Sequence, residues 1–128
     1  LESFNSSQQN LVIFDDWIAE RDQKIIIDYF IKGRHRNVSC IYLSQSYVCT
    51  PITIRKNCNY FCIYQLNGRD SNLIYQDHID SNITKNEFKD AFYYCTEQQY
   101  NFMMIDLKTK NRELKYRKNF NEPVLFKK

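Results

Sequence analysis

The chain has 128 residues, 43% hydrophobic and 16% aromatic, which is enough for one globular domain with a core and too short for two comfortable ones. It contains only two glycines and two prolines, which excludes a low-complexity linker and a loop-rich disulfide scaffold. The net charge of +3 is uneven, because residues 108–128 hold eight Lys or Arg against two Glu. Such a cluster suits either a nucleic-acid backbone or the solvated face of a hairpin.

Five cysteines, an odd number, predict free thiols and a reducing compartment. Cys58 and Cys62 have a spacing that could begin a metal site, but no second Cys/His pair at ligand spacing follows, so zinc is disfavoured. No apolar run reaches the roughly 18 residues of a membrane span, and the first ten residues do not resemble a signal peptide. We therefore expect a soluble, untargeted chain without a membrane span.

The first part of the chain predicts a strand–helix–strand unit. Residues 1–9 are expected to form a loop, and the apolar run Leu11–Phe14 is typical of a strand buried on both faces of a parallel sheet. A crossover helix is predicted over Glu20–Lys32, with Gly33 just past its end. Val38–Leu43 predicts the second strand, which completes a βαβ unit. The apolar helix positions near helical spacing are Ile25, Ile26, Tyr29 and Phe30.

The next elements are shorter. Thr50 and Pro51 are typical of a cap followed by proline in the first turn, and they predict a short helix through Arg55. Tyr60–Tyr64 predicts a third strand, whereas residues 67–83 are polar and predict irregular structure with one helical turn around Leu73–Tyr75.

The last third predicts a helix and a hairpin. Thr84 and Glu87 match a capping box, and the helix behind it has one apolar face, formed by Phe88, Ala91, Phe92 and Cys95. The hairpin is predicted from Tyr100–Leu107 and Glu113–Phe120. Its second strand is expected to place three apolar side chains on one face, namely Leu114, Tyr116 and Phe120.

Two adjacent carboxylates follow the first strand. Ligands of open parallel α/β sheets bind at the carboxyl ends of the strands, so Asp15 and Asp16 suit magnesium and water chemistry. In a Walker B arrangement Asp15 would hold Mg²⁺ through its water shell, and Asp16 would orient the attacking water. The alternative interpretation is an acidic N-cap on the following helix.

Polar residues on either side of the second strand are further candidates for contact with a phosphate. Gln45 follows the second strand, where an amide could sense a γ-phosphate or its water. Arg34 and Arg36 flank His35 in the turn before that strand, and arginine suits bidentate phosphate contact and a finger offered to a neighbouring subunit. Cations at a helix C-terminus are the simpler explanation of these arginines, and Arg55 carries the same two interpretations.

Three stretches taken together, LVIFDD, FIKGRHRNVSCIYLSQSY and TPITIRKNCNYFCIY, resemble the HerA/FtsK superfamily, specifically the poxvirus-type genome-packaging ATPases. The resemblance extends over roughly residues 10–121. It implies a RecA-like P-loop core with a partial three-layer α/β/α sheet and a C-terminal β-hairpin. It also implies ATP and Mg²⁺ as cofactors and double-stranded DNA as a partner. The expected assembly is a homo-oligomeric ring, a hexamer, with capsid or portal proteins in the virion or in the host cytoplasm or nucleus.

Carried over by position, the resemblance makes Asp15 and Asp16 the Walker B acids, Gln45 the glutamine after the next strand, and Arg34 or Arg36 the arginine finger. Asp16 departs from the commoner Glu, whose carboxylate reaches one methylene further.

A phosphate-binding loop is absent from these 128 residues. Such a loop is glycine-rich and ends in Gly-Lys-Ser/Thr, whereas neither Gly33 nor Gly68 precedes Lys-Ser or Lys-Thr. In the family's sheet the P-loop strand lies between the strand before Gln45 and the strand near Tyr60–Tyr64. We therefore expect residues 1–128 to be the C-terminal part of one P-loop ATPase domain, from Walker B onward. The missing half would lie in a longer polypeptide, a split gene or an N-terminal exon.

Two alternatives remain at this stage. Asp15 and Asp16 could form the magnesium pair of a nuclease, although such enzymes usually add an acid and a lysine on a neighbouring strand. The chain could instead be a catalytically incomplete remnant whose Lys110–Lys118 hairpin binds nucleic acid or a partner subunit.

Overall fold

The computed structural model describes residues 1–15 and 23–126 of a mixed α/β chain with two sheets. The chain divides into two compact units, Leu1–Cys58 and Asn59–Lys128. The start of the crossover helix predicted at Glu20 lies outside the described residues. Among the helices that are described, none combines the length and the apolarity that crossing a membrane would require.

Unit 1 contains the predicted βαβ arrangement. Its elements are β1 (Asn10–Asp15), α1 (Lys24–Lys32), a 3₁₀ turn (Gly33–Arg36), β2 (Val38–Leu43) and α2 (Ile52–Asn57). Strands β1 and β2 are parallel, with a register that runs from Asn10 opposite Val38 to Asp15 opposite Leu43. The two predicted strands, the helix between them and their parallel pairing are therefore confirmed.

The described residues cover only one face of the β1–β2 sheet. Phe14 packs with Ile26 of α1 and Ile54 of α2, and Val12, Cys40 and Tyr42 lie against this core. The opposite face is apolar and open, with exposed fractions of 57% for Leu11, 55% for Ile13, 42% for Ile41 and 46% for Leu43. The prediction of a strand buried on both faces is thus wrong for this chain, since no described residue covers that face. We call these four residues the open face.

Helix α1 ends where the sequence predicted, but two details differ. Ile25 is 72% exposed, so it does not share the inner face with Ile26. Gly33 has right-handed helical backbone angles, and the left-handed residue is Asn37, with φ 53°. A Cβ on Gly33 would lie 3.0 Å from the carbonyl oxygen of Val38. A side chain here would therefore crowd the start of β2, so glycine suits the close approach of the turn to this strand and does not serve a left-handed helix end.

Unit 2 contains a four-stranded antiparallel sheet and two helices. The elements are β3 (Tyr60–Ile63), α3 (Gly68–His78), α4 (Lys85–Thr96), β4 (Met103–Asp106), a 3₁₀ turn (Arg112–Leu114), β5 (Tyr116–Lys118) and β6 (Glu122–Pro123). The strand order is β3-β4-β5-β6, and all four residues of β4 are buried. The third predicted strand is confirmed, and it belongs to a different sheet from β1 and β2.

The sequence predicted one of the two described helices of unit 2, α4, and missed the other, α3. The capping box of α4 is confirmed, because Thr84 Oγ1 accepts from Glu87 N at 3.2 Å and Glu87 Oε2 accepts from Thr84 N at 2.7 Å. The prediction of irregular structure over residues 67–83 is wrong, since α3 has 11 residues. It begins where Asn67 Oδ1 accepts from Asp70 N at 2.9 Å, and it buries Asp70 and Ile74. Polar residues occupy most positions of α3, so its sequence does not show the apolar spacing typical of a helix.

The C-terminal hairpin is present but shorter than predicted. Strands β4 and β5 are antiparallel, with Ile105 opposite Tyr116. Leu114 belongs to the 3₁₀ turn and Phe120 follows the strand with 63% of its surface exposed, whereas Tyr116 is 3% exposed. The predicted common face of these three side chains is therefore wrong, because Leu114 and Phe120 both lie outside β5.

Candidate functional site

The parallel register of β1 and β2 brings two of the predicted site residues together. Asp15 ends β1 opposite Leu43, which ends β2, so Ser44 and Gln45 follow at the same edge. Asp15, Leu43, Ser44 and Gln45 line one shallow, open depression. The carboxylate and the amide named from the sequence therefore share a site. Asp16, the second acid, lies outside the described residues.

Hydroxyl groups fix the loop that carries Gln45. Thr50 Oγ1 lies 2.8 Å from the carbonyl oxygen of Ser46, to which it donates, and 3.2 Å from Ser44 Oγ. Ser44 Oγ accepts from Ser46 N at 3.1 Å, and Ser46 Oγ accepts from Cys49 N at 3.2 Å. These bonds hold the backbone on both sides of Gln45. The repeated hydroxyl residues at positions 44, 46 and 50 were the only sequence signal for this network.

Thr50 does not act as the predicted helix cap. The N-cap of α2 is Pro51, and Thr50 is 8% exposed with its hydroxyl bonded into the preceding loop. Arg55 reinforces the same loop, since its Nε donates to the carbonyl oxygen of Thr50 at 3.0 Å and its guanidinium lies 4.9 Å from the ring centroid of Tyr47. Arg55 therefore contacts the loop that bears Gln45.

Arg34 and Arg36 lie at the other end of the strand pair. They belong to the 3₁₀ turn that precedes β2, so they lie near the residues that begin the parallel strands. Both side chains are exposed. At about 3.3 Å per residue, the six paired positions separate this end from Asp15 by roughly 16 Å. Arg36 lines a separate shallow cleft, together with Glu2, Asp28, Tyr29, Lys32 and His35. Neither arginine shares a site with Asp15 within this chain.

The oxygen groups at the Asp15 edge fit one kind of metal site. Within residues 1–15 and 23–126, no three His, Cys, Asp or Glu side chains are grouped as a metal cage would require. Mg²⁺ is commonly held by one or two carboxylates, water and substrate phosphates. An exposed Asp15 beside Ser44 and Gln45 therefore fits a magnesium ion held mainly by water and by a nucleotide.

The cysteines offer no comparable site. All five lie among the described residues and are free. Burial, and to a lesser extent the proximity of Cys40, raises the pKa of Cys58 to about 11. Burial also raises the pKa of Cys95 to about 11. These thiols are therefore protonated at neutral pH and pack as small apolar groups.

The chain is a mixed α/β protein, and its candidate ligand site is the parallel strand edge that carries carboxylate, amide and hydroxyl groups. The family model described as Poxvirus A32 protein matches residues 2–78, well over half of the chain. The chain therefore belongs to the poxvirus A32 protein family, a family of viral packaging ATPases. Searches of curated proteins and of solved structures gave no significant match.

The family match contains every predicted site residue, from Asp15 to Gln45. It confirms the resemblance to viral packaging ATPases, but it ends at residue 78, whereas the resemblance was expected to extend to about residue 121. The hairpin thus lies beyond the match.

Proposed function

We propose that this chain supplies the Walker B half of the hydrolysis site in an ATP-driven translocase that packages double-stranded viral or mobile-element DNA into a capsid. In this proposal the chain forms part of a RecA-like P-loop core of the HerA/FtsK type. The observation that supports it best is the parallel register that places Asp15 and Gln45 in one depression. The family membership supplies the ATPase and packaging context.

The proposed roles follow from the chemistry at this edge. Asp15 holds Mg²⁺ through its water shell, and the ion neutralises charge on the phosphates when it is bound. Asp16 orients the attacking water, and Gln45 contacts that water or the γ-phosphate. The hydroxyl network from Ser44 to Thr50 limits the movement of Gln45, which keeps its amide at the edge.

The arginines act between subunits in this proposal. Because the 3₁₀ turn lies at the opposite end of the strand pair, Arg34 or Arg36 reaches the nucleotide of a neighbouring subunit and not that of its own. This arrangement requires a homo-oligomeric ring, for which we propose a hexamer.

A separate P-loop segment completes the site and covers the open face. The 128 residues contain no Gly-Lys-Ser/Thr sequence, so another segment must hold the phosphates. Parallel sheets are almost always covered on both faces, whereas Leu11, Ile13, Ile41 and Leu43 are exposed. We propose that the P-loop segment packs on this face, whether it is part of the same polypeptide or a separate chain. Capsid or portal proteins would bind the assembled motor in the virion or at the site of particle assembly in the host.

The test is DNA-stimulated ATP hydrolysis by the chain joined to its P-loop segment. Asp15→Asn and Asp16→Asn are each expected to lower kcat by at least about a hundredfold, because Mg²⁺ and water positioning each contribute several kcal/mol. Gln45→Ala is expected to lower kcat with little change in the KM for ATP. Asp90→Asn, which alters an exposed carboxylate on α4, is the matched control.

Unchanged ATP turnover in both the Asp15 and the Asp16 variants would refute the Walker B assignment. A coding sequence around this chain that contains no Gly-Lys-Ser/Thr loop, with none in a co-purifying chain, would count against the shared site.

A further inference from the structure

The structure separates the basic residues near the C-terminus into two groups. Three of them are used within unit 2: Lys115 pairs with Asp80 at 2.6 Å, Arg117 pairs with Asp106 at 3.2 Å, and Lys118 lies over the Tyr94 ring at 4.4 Å. The other three described cations, Lys108, Lys110 and Arg112, are exposed and form no ion pair with the described residues. All three lie in the connection between β4 and β5, which we call the basic loop (residues 107–114).

Hydrogen bonds fix the backbone of the basic loop. Asp106 Oδ1 accepts from Lys108 N at 2.9 Å and from Thr109 N at 3.0 Å. Thr109 Oγ1 accepts from Asn111 N at 3.2 Å, and Asn111 Oδ1 accepts from Glu113 N at 3.0 Å. The three cations are therefore presented from an ordered backbone, which lowers the entropy that a ligand must remove on binding.

The acids near the basic loop do not cancel its charge. The carboxylate of Asp106 is turned inward, where it is 10% exposed and paired with Arg117. Glu113 is the one acid within the loop, which leaves a net charge of +2. A short exposed loop with three unpaired cations attracts a chain of phosphates more strongly than isolated surface lysines do.

We propose that the basic loop is a contact surface for the phosphate backbone of duplex DNA, with Lys108, Lys110 and Arg112 each binding a phosphate. The choice of DNA as the polyanion rests on the packaging function proposed above. Contacts to phosphates carry no base information, so the loop binds duplexes of any sequence, as a packaging motor must.

The experiment measures binding of the full 128-residue chain, without nucleotide, to a labelled 30-base-pair duplex by fluorescence anisotropy between 25 and 200 mM salt. The test variant is Lys108→Gln/Lys110→Gln/Arg112→Gln. Its affinity at 50 mM salt is expected to fall at least about tenfold. The slope of log K against log salt is expected to become less negative by about 2.7, since each of the three phosphate contacts contributes about −0.9.

A matched control removes the same charge elsewhere in unit 2. Arg69→Gln/Lys85→Gln/Lys89→Gln also neutralises one arginine and two lysines on exposed positions of α3 and α4, and it should change the affinity less than twofold. Equal losses in the two triple variants would overturn the proposal, because they would indicate a response to net charge alone. Displacement of the duplex by polyglutamate at equal charge would also overturn it, in favour of an acidic protein partner.

Two further measurements keep the result interpretable. Thermal unfolding by circular dichroism checks that both triple variants fold, and the single variants Lys108→Gln, Lys110→Gln and Arg112→Gln should each carry about one third of the loss in slope. Because the assay contains no nucleotide, a failure of DNA binding leaves the Walker B assignment standing, and a failure of ATP hydrolysis leaves the basic loop standing.

Discussion

Replacing Asp106 with alanine should destabilise the chain strongly, because it leaves the charge of Arg117 without its partner. The two side chains are only 10% and 14% exposed, and Arg117 Nη1 would keep a single strong bond, to the carbonyl oxygen of Leu114 at 2.7 Å. Arg117 Nε is already buried and has no hydrogen-bond partner among the described residues. An uncompensated charge at such a position costs about 3–5 kcal/mol of unfolding free energy.

A double-mutant cycle separates the ion pair from the turn that Asp106 also holds. Asp106→Asn keeps an oxygen that can accept from Lys108 N and Thr109 N, but it removes the charge. We expect it to cost about 2–3 kcal/mol, and we expect Arg117→Met to cost less, since Asp106 keeps its two backbone donors. The double variant should be more stable than the sum of the single losses predicts, by at least about 1 kcal/mol.

Urea unfolding followed by far-UV circular dichroism measures these free energies. An Asp106→Asn chain within about 0.5 kcal/mol of the wild type would refute the reasoning, because the carboxylate charge would then contribute nothing to the fold.

Three further predictions concern other parts of the chain. The backbone N–H of Thr84, and then its hydroxyl, hold the pKa of Glu87 below its ordinary value of 4.5. The stability gained from this bond is therefore present above pH 4.5 and lost as the pH falls below it, and Glu87→Gln should flatten that part of the stability–pH curve. Thr50→Val should lower the free energy of unfolding by about 1–2 kcal/mol, and in the joined ATPase it should lower kcat without raising the KM for ATP. Thr50→Ser keeps the hydroxyl, so it should retain both the stability and the kcat. Ile13→Thr/Ile41→Thr should reduce self-association of the chain alone in light scattering while leaving its unfolding midpoint nearly unchanged, and unaltered association would mean that the open face is not the cause.

The sequence predicted best those features that depend on local pattern. The capping box of α4 needs only Thr84 and Glu87 at the right spacing, so it could be identified without tertiary information. The parallel pairing of β1 and β2 was also predictable, because a helix between two apolar runs favours a crossover connection. That pairing alone places Asp15 and Gln45 at one edge. This part of the candidate site therefore follows from the order of the elements.

Features that depend on tertiary contacts could not be predicted in the same way. Helix α3 carries few apolar residues, and one of its buried positions is Asp70. The sequence therefore lacks the apolar spacing that would have indicated a helix. Apolar runs indicate that a strand can be buried on both faces, but they do not show whether this chain supplies the cover, and here the open face stays exposed. The inward bonds of Thr50 depend on the folded loop, so its position beside Pro51 suggested a cap instead.

The separation of the arginine turn from Asp15 has a consequence for mixed assemblies. When each hydrolysis site draws its acid from one subunit and its arginine from the next, two different inactive subunits can repair each other. Rings assembled from equal amounts of Asp15→Asn chains and Arg34→Ala/Arg36→Ala chains would contain some junctions in which both contributing subunits are intact at the residues that matter. Such rings should hydrolyse ATP although neither parent ring does, and the recovered rate should follow the fraction of these complete junctions. In the proposed ring, ATPase activity would thus be a property of each pair of neighbouring subunits and not of a single polypeptide.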